Sequence, residues 1–274
     1  MLQNQPIVKV LADSISPDGI RLTTFQLTYW RSIHSELMTH RVFSRCAQSS
    51  RATPIDTVIN NIKSGAWGPA HWGMNQAGMS AKEEINPMMT SSCQFLWEQT
   101  ATAIASSVEM ISKQTGLHKQ ILNRMLEPYT SINVVLTATD FKNFFKLRLD
   151  EHAQPEMQDL ARAIKNAMDN STPKSLQYGE WHLPYITEED VMGNNIEDLC
   201  KISAARCARV SYKAYDGSSS TEADIKLADK LINDKHMSPL EHVATPAEPG
   251  KYIASNFRGW NQYRKYQTEE AVQE

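Results

Sequence analysis

Hydrophobic and polar positions along the chain follow two kinds of spacing, which together predict both strands and helices. Residues 20–30 contain many Thr, aromatic and branched residues, and Phe25, Leu27 and Tyr29 stand at alternate positions, as in a half-buried strand. Residues 131–138, with the sequence SINVVLTA, predict a second, buried strand or extended segment.

Other stretches place apolar residues three or four positions apart, which predicts helices with one buried face. In residues 31–48 these are Ile33 and Leu37, and Pro54 prevents a longer helix. Thr221 and Asp224 resemble a capping box at the start of a later helix. The predicted helices cover residues 31–48, 94–114, 139–151 and 222–234. Another helix is predicted to begin at Pro155, with Met157, Leu160, Ile164 and Ala167 on its buried face.

Two stretches lack regular spacing. Residues 64–90 contain repeated Gly and Pro with Trp67 and Trp72, which predicts a long loop, either functional or a surface insertion. Residues 169–195 are predicted to be mostly loop. Helices and strands are too interleaved to divide, so we expect one helix-rich α+β domain over residues 1–274, with an antiparallel sheet flanked by helices.

Composition narrows the functional classes. The chain has 274 residues and a formal net charge of −3, so it has no overall positive field that would gather nucleic acid. It has no apolar run of membrane-spanning length, and its N-terminus does not resemble a signal peptide. The four cysteines are scattered, which is typical of reduced thiols, and we expect a cytoplasmic protein.

The segment THRVFSRCAQSSR, residues 39–51, gathers cations and hydroxyls. On the predicted helix, His40, Ser44 and Gln48 share one face, beside Arg41 and Arg45. Arginine presents a planar fork of donors that suits phosphate oxygens. The alternative interpretation is a solvated helix face with incidental salt bridges.

Two further segments carry possible chemistry. In HMSPLEH, residues 236–242, the histidine spacing does not fit helical zinc patterns and Pro239 prevents a regular helix, so we expect no metal site. Arg148 stands among Phe and Leu residues, which is costly unless the guanidinium pairs with a core acid or faces a ligand. The sequence has no G-x-G-x-x-G, P-loop or G-x-S-x-G pattern.

Taken together, the segments resemble the flavin-dependent thymidylate synthases. THRVFSRCAQSSR resembles that family's Arg-His-Arg signature followed by seven residues and a Ser, and LNRMLEPYT resembles its Arg-to-Leu-Pro segment. NFFKLRLDEHAQPEM resembles its Asn-Phe-x-x-x-Arg…His-Ala-Gln-x-Glu block, which places Asn143, Arg148, His152, Gln154 and Glu156. ARVSY and HMSPLEH resemble its Ala-Arg-Val-Ser and His-x-Ser-Pro-x-Glu-His segments. The matching segments cover about residues 21–54, 121–169 and 203–265.

The order and some residues depart from that family. The ARVS and HxSPxEH segments come last here instead of first, so the chain resembles a circular permutation, which surface termini permit. The C-terminal FRGWNQYRK would then bring Arg258, Gln262 and Arg264 into the site. Thr39 stands where the family has its first Arg, Cys46-Ala47 where it has Asn-Glu, and Thr137-Ala138-Thr139 where it has Asn-x-Arg.

The resemblance implies FAD as cofactor, NADPH and methylene-tetrahydrofolate as co-substrates, and a homotetramer with sites assembled between subunits. It implies a deoxyuridine monophosphate substrate, whose phosphate Ser49, Arg51 and Arg124 would hold. Arg148 would lie against the pyrimidine ring and act as the catalytic residue, stabilising developing negative charge. The residues that contact the flavin would be His40, Arg41, Asn143, Ser211, Ser238 and Glu241, and His236, also cofactor-binding, would lie near the folate or flavin ring.

The departures leave alternatives open. One is a flavin-dependent enzyme that methylates or hydroxymethylates another pyrimidine deoxynucleotide, since charges are lost at Thr39, Ala47 and Thr139. Another is a non-catalytic nucleotide or nucleic-acid binder that uses Arg41, Arg45 and Arg51, although the net negative charge argues against stable nucleic-acid binding.

Overall fold

The computed structural model describes residues 2–78, 81, 83–212 and 215–267. The strands are β1 (Ile7–Ile15), β2 (Arg21–Trp30), β3 (Ser44–Ala47), β4 (Ser131–Ala138), β5 (Lys174–Ser175), β6 (Ala244–Pro246) and β7 (Trp260–Gln262). The helices are α1 (His34–Leu37), α2 (Ile55–Ser64), α3 (Pro87–Thr115), α4 (Lys119–Leu126), α5 (Lys142–Arg148), α6 (Pro155–Asp169), α7 (Glu188–Gly193), α8 (Ile196–Arg209) and α9 (Thr221–Asn233), and short 3₁₀ helices cover Arg31–Ile33, Glu127–Tyr129, Ser238–His242 and Tyr263–Gln267.

A five-stranded sheet in the order β3-β4-β2-β1-β5 supports the described part of the chain. The neighbours from β3 to β1 pair antiparallel, and the short β5 pairs parallel with β1, so the sheet is mixed. The β2–β4 register places Phe25 opposite Leu136 and Leu27 opposite Val134. These apolar cross-strand pairs hold the two central strands in one register.

One face of the sheet packs against α5 and α6. Phe25, Leu27 and Tyr29 lie on this face because alternate residues of a strand point the same way. Leu160 and Ile164, one helical turn apart in α6, are fully buried against it. Each such side chain contributes about 1.5–3 kcal/mol through burial.

The C-terminal segments cover the opposite face of the sheet. There Leu22 packs with Phe257 and Trp260, and Val135 packs with Cys207 and Val210. Helices α2, α3 and α4 form a separate apolar cluster that includes Ile62, Ala105 and Leu122. Among the residues that the structure describes, no helix is both long enough and apolar enough to cross a membrane.

The helix predicted for residues 31–48 is wrong. Only Arg31–Leu37 is helical, as a 3₁₀ turn followed by α1, and β3 begins at Ser44. Ile33 and Leu37 are buried as predicted, but β3 gains backbone hydrogen bonds to β4 that the sequence spacing does not reveal. His40, Ser44 and Gln48 therefore do not share a helical face.

Other predicted elements differ at their ends. Helix α3 begins at Pro87, seven residues before the predicted start, with Asn86 as its N-cap. The loop predicted for residues 64–90 is therefore shorter than expected at its C-terminal end. Ser220 caps α9 by accepting a hydrogen bond from the Ala223 amide, so the predicted Thr221–Asp224 box is wrong. β1, α2, α7 and α8 were not predicted, and α7 lies within the expected 169–195 loop.

Candidate functional site

β3 and the 3₁₀ turn Ser238–His242 meet through a cluster of polar side chains. Ser44 Oγ donates to Glu241 Oε2 at 2.7 Å, and Arg264 pairs with the other carboxylate oxygen. Gln262 Nε2 also donates to Ser44 Oγ, at 3.1 Å. Both Glu241 oxygens thus have partners within the chain, so Glu241 fixes the turn against β3.

A second contact joins the segment after β3 to the end of α8. The Ser49 amide donates to the Ser211 carbonyl at 3.0 Å, and Gln48 Nε2 donates to the Tyr212 carbonyl at 3.0 Å. Two segments more than 150 positions apart in sequence are thereby held side by side. We call this contact between Gln48–Ser49 and Ser211–Tyr212 the seam.

A cavity of about 540 Å³ opens between β3, the end of α8 and the α9–Ser238 connection. Ser211, His236 and Ser238, three of the predicted cofactor-binding residues, line it. Its lining carries three cations and one acid, Asp234, and therefore suits an anionic ligand. The three cations are Arg45, Arg209 and Lys230. We therefore call this pocket the cationic cavity.

The two arginines of the cationic cavity are held by the backbone and by a buried acid. Arg45 Nη1 donates to the carbonyls of Met38 and His40 at 3.2 and 3.1 Å, and burial lowers the pKa of Arg45. Arg209 Nε donates to Asp224 Oδ1 at 2.7 Å. Both guanidinium groups are therefore fixed before any ligand enters.

Arg206 anchors α8 behind the cavity and was not singled out from the sequence. Its buried guanidinium binds Asp190 and donates from Nε to Asp224 Oδ2 at 2.9 Å. The hydrogen bond from Arg206 holds the pKa of Asp190 down at about 2. Arg206 and Asp224 are 18 positions apart in the sequence. No local sequence pattern therefore predicts this ion pair.

The turn after α9 brings His236 to the cavity. The Lys235 amide donates to the Ile232 carbonyl and the His236 amide donates to the Leu231 carbonyl, which is the Schellman pattern of a helix end. Lys235 adopts a φ of +58°, a position that usually favours glycine. The chain thus reverses sharply before Ser238.

Arg148 lies away from the cationic cavity, against the segment that precedes β3. Its guanidinium pairs with Glu36, donates from Nε to His40 Nε2 at 2.9 Å and donates to Thr39 Oγ1 at 3.2 Å. Burial, together with the charges of Arg148 and Arg45, lowers the pKa of His40 to about 4. The imidazole is therefore neutral, and its Nε2 can accept the hydrogen bond from Arg148. Within one chain Arg148 therefore pairs with a partly exposed acid, Glu36, and not with a core acid.

The segments that carry Arg51 and Arg124 are joined through Asn123. Asn123 Nδ2 donates to the Ser50 and Thr53 carbonyls at 2.6 and 3.0 Å, which ties α4 to the segment that carries Arg51. Both arginines are exposed. Neither they nor Arg148 line the cationic cavity, and exposed Arg41 and Asn143 do not line it either.

The C-terminal segment joins the site in part. Gln262 and Arg264 contact the Ser44–Glu241 cluster, as expected from the permuted order. Arg258 instead pairs with Asp140 at 2.9 Å and is exposed. Glu156 Oε1 accepts from the Ala70 amide at 3.1 Å, which fastens the loop before α3 onto α6.

The two cysteines nearest the cationic cavity, Cys46 and Cys207, are buried. Cys46 lines it, but burial raises its pKa to about 12. Burial also raises the pKa of Cys207 well above its usual value. A buried thiol that stays protonated is a poor nucleophile.

Comparison with known families gives a match over residues 21–174, to the family described as Thy1, thymidylate synthase complementing protein. That stretch is more than half of the chain. The chain belongs to the Thy1 family. The match runs from β2 to β5, so the cationic cavity is formed where this Thy1 region meets the later segments.

Comparison with solved structures gives matches at low identity. The UMP/dUMP methylase PolB from Streptomyces cacaoi, bound with 5-Br UMP, is 14% identical, with 61% of this chain and 90% of that chain covered and a TM-score of 0.50. Thymidylate synthase X from Helicobacter pylori, with FAD and dUMP, is 15% identical, with 54% and 67% covered and a TM-score of 0.36. No curated protein matches the chain. The Thy1 member thus shares the α+β fold of the PolB structure at low identity.

Proposed function

We propose that this Thy1 member uses FAD to methylate deoxyuridine monophosphate at C5, giving thymidylate, with methylene-tetrahydrofolate as carbon donor and NADPH as reductant. The observation that carries the proposal is the cationic cavity, because three predicted cofactor-binding residues line it together with Arg45, Arg209 and Lys230. Family membership supports the same chemistry. A cytoplasmic location and one domain over residues 1–274 belong to the proposal.

The donors of the cavity fit a flavin dinucleotide. Its diphosphate needs cations and hydroxyls, which Arg45, Ser211 and Ser238 supply. A volume of about 540 Å³ lies in the range of small-molecule sites. His236 would lie beside the bound group. When bound, FAD supplies the electrons that the reaction consumes.

The residues that would bind the substrate lie outside the cationic cavity of the same chain. Ser49, Arg51 and Arg124 would bind the phosphate, since the Asn123 contacts already gather the segments that carry the two arginines. Arg148 would exchange its Glu36 contact for the pyrimidine edge. There its guanidinium stabilises negative charge on the ring, and apolar neighbours strengthen the effect.

Arg51 follows β3 in sequence, whereas Arg148 contacts Glu36 and His40, which precede β3. The strand alone spans about 13 Å at 3.3 Å per residue. A complete site would therefore take these arginines from different copies of the chain, in a homo-oligomer that we propose to be a tetramer. His40, Arg41 and Asn143 would reach the flavin of a neighbouring copy.

Turnover tests the proposal directly. Purified protein should carry or take up FAD and convert deoxyuridine monophosphate to thymidylate, followed by mass spectrometry. Arg148→Ala should lower turnover at least 100-fold while FAD stays bound, because it removes charge stabilisation from the transition state. Arg162→Ala is the matched control, since Arg162 is an exposed arginine of α6 paired with Asp159. A protein that takes up no FAD contradicts the proposal.

A second candidate is C5 methylation or hydroxymethylation of another pyrimidine deoxynucleotide. Thr137, which stands where the resemblance expects a flavin-contacting residue, is fully buried and bonded to Thr24 and His242. The polar contacts of the flavin segment therefore differ. Incubation with each pyrimidine monophosphate separates the candidates, and ordinary turnover of deoxyuridine monophosphate dismisses the second.

A further inference from the structure

One buried carboxylate joins two arginines behind the cationic cavity. Asp224 is fully buried in the first turn of α9, and its two oxygens accept from different residues of α8. Oδ2 accepts from Arg206 Nε at 2.9 Å, and Oδ1 accepts from Arg209 Nε at 2.7 Å. Ser219 Oγ donates to the same carboxylate at 2.8 Å. Asp224 therefore fixes Arg209 relative to Arg206.

Arg206 is itself held on several sides, so it serves as the fixed end of this network. Its two Nη nitrogens donate to the two oxygens of Asp190, and Nη1 also donates to the Tyr185 carbonyl at 2.8 Å. The Tyr215 ring lies 5.2 Å from the guanidinium carbon. A buried guanidinium with these contacts has little freedom to turn, so it orients the carboxylate of Asp224 as well.

Arg209 is the member of the network that a ligand can reach. Its side chain is 30% exposed and lines the cationic cavity, whereas the Asp224 side chain has no exposed surface. The Nε and Nη2 nitrogens of Arg209 both lie 2.7 Å from Asp224 Oδ1. The Nη1 side of the planar group is therefore the side that can meet an anion.

We propose that Asp224 is a positioning residue of the cationic cavity, which sets the affinity for the diphosphate of a bound ligand by holding Arg209 in one orientation. The inference rests on the proposed function, in which FAD brings that diphosphate. The negative charge of Asp224 by itself opposes an anion. Its favourable contribution comes from holding the guanidinium in place, because an ordered side chain loses less entropy when the ligand binds.

Asp224→Asn removes the contact to Arg209 selectively. The amide keeps one oxygen, which should stay with Arg206, because an unpaired donor costs more where water cannot reach it. The NH₂ group then faces Arg209 and repels it towards solvent. FAD and inorganic pyrophosphate should each bind at least about tenfold more weakly. Loss of negative charge alone would make both bind more tightly, so the sign of the effect separates the two explanations.

Calorimetric titration with FAD and with pyrophosphate measures binding without turnover. Asp190→Asn is the matched control, because Asp190 is the other carboxylate bound by Arg206 and its hydrogen bonds do not involve Arg209. The control should leave both affinities close to those of the wild-type protein, and thermal unfolding checks that each variant folds. The proposal is overturned if Asp190→Asn weakens binding as much as Asp224→Asn does, or if folded Asp224→Asn binds as tightly as the wild-type protein or more tightly.

Arg209→Lys tests the same role without altering the buried acid, and it decides the question if Asp224→Asn does not fold. Lysine keeps the positive charge, but its single ammonium nitrogen cannot hold Asp224 and also present a planar edge to the ligand. Arg209→Lys should weaken binding of both probes at least about tenfold, and Asp224→Asn added to it should cause little further loss. Unchanged binding by Arg209→Lys overturns the proposal, as does a second full loss in the double variant.

The two probes separate this inference from the proposed function. If pyrophosphate binds with the expected pattern among the variants and FAD does not bind, the proposed function is contradicted and the positioning role is supported. If FAD binds and no variant alters its affinity, the positioning role is overturned while the proposed function stands. A wild-type protein that binds neither probe at millimolar concentration contradicts both.

Discussion

Two buried histidines join the central strands to the C-terminal segments through a chain of hydroxyls. Ser14 Oγ lies 2.8 Å from His182 Nδ1, and His182 Nε2 lies 2.8 Å from Thr24 Oγ1. Thr24 bonds Thr137, which bonds His242 Nδ1, both within hydrogen-bond distance. Each hydroxyl carries one proton and each neutral ring one N–H, so the tautomers of the two histidines and the directions of these bonds are coupled.

The histidines should make stability depend on pH. Burial lowers the pKa of His182 and of His242 to about 3, whereas an unfolded histidine titrates near 6.5. The unfolded state therefore binds more protons below pH 6.5. The free energy of unfolding should fall by about 1.4 kcal/mol per pH unit for each histidine as pH drops from 6.5 towards 3.

Urea unfolding at pH 7, 6 and 5 measures this slope. His182→Gln should reduce the slope by about 1.4 kcal/mol per pH unit, whatever it does to stability at pH 7. His152→Gln, at an exposed histidine, is the control for the substitution itself. An unaltered slope in the His182 variant would mean that His182 is not kept neutral by burial.

Cys46 offers a separate prediction about chemistry. Its thiol lines the cationic cavity, but burial keeps it protonated. Cys46→Ser should therefore retain turnover within about threefold, while the buried hydroxyl lowers stability by about 1–3 kcal/mol. Turnover and thermal unfolding measure the two effects, with Cys93→Ser on α3 as control. An inactive but folded Cys46→Ser protein would indicate a cysteine nucleophile and contradict the flavin assignment.

The end of α9 depends on one strained residue. Lys235 holds a positive φ that completes the Schellman pattern and turns the chain towards His236. A non-glycine residue there costs about 1–2 kcal/mol, partly offset because glycine loses more entropy on folding. Lys235→Gly should therefore raise the free energy of unfolding by about 0.5–1 kcal/mol.

Lys226→Gly is a control of opposite sign for that measurement. Lys226 is exposed in the interior of α9, where glycine should cost about 1 kcal/mol. Denaturant unfolding of both variants gives the comparison. If Lys235→Gly destabilises as much as Lys226→Gly does, the left-handed turn is not strained.

Elements whose burial repeats locally were predictable from the sequence, and others were not. β2, β4 and α6 alternate or repeat strongly because each buries one face or one stripe. α8 is buried on most sides through small residues such as Ala204 and Ala205, so it has little amphipathic contrast. β3 exists because β4 supplies backbone partners, which no pattern within residues 39–51 shows.

The sequence motifs predicted which residues could form the candidate site, but not how those residues are arranged in space. The motifs named Ser211, His236 and Ser238 from separate segments, and these three residues line one cavity. They gave no sign that Arg148 meets Glu36, because that pair depends on α1 ending beside α5. The seam brings the late ARVSY segment beside β3, as a circular permutation requires.

Separation of the arginines within one chain leads to a prediction about the assembly. Arg51 lies beside α4, whereas Arg148 lies with Glu36 and His40, so we expect each site to draw them from different copies. Arg51→Ala and Arg148→Ala should each be inactive alone. When the two variants are co-expressed with different tags and purified as mixed oligomers, roughly a quarter of the sites should contain both arginines. Turnover per site should recover to about that fraction. If one chain supplied both arginines, no site in the mixture could hold the pair, and turnover would stay at the level of the single variants.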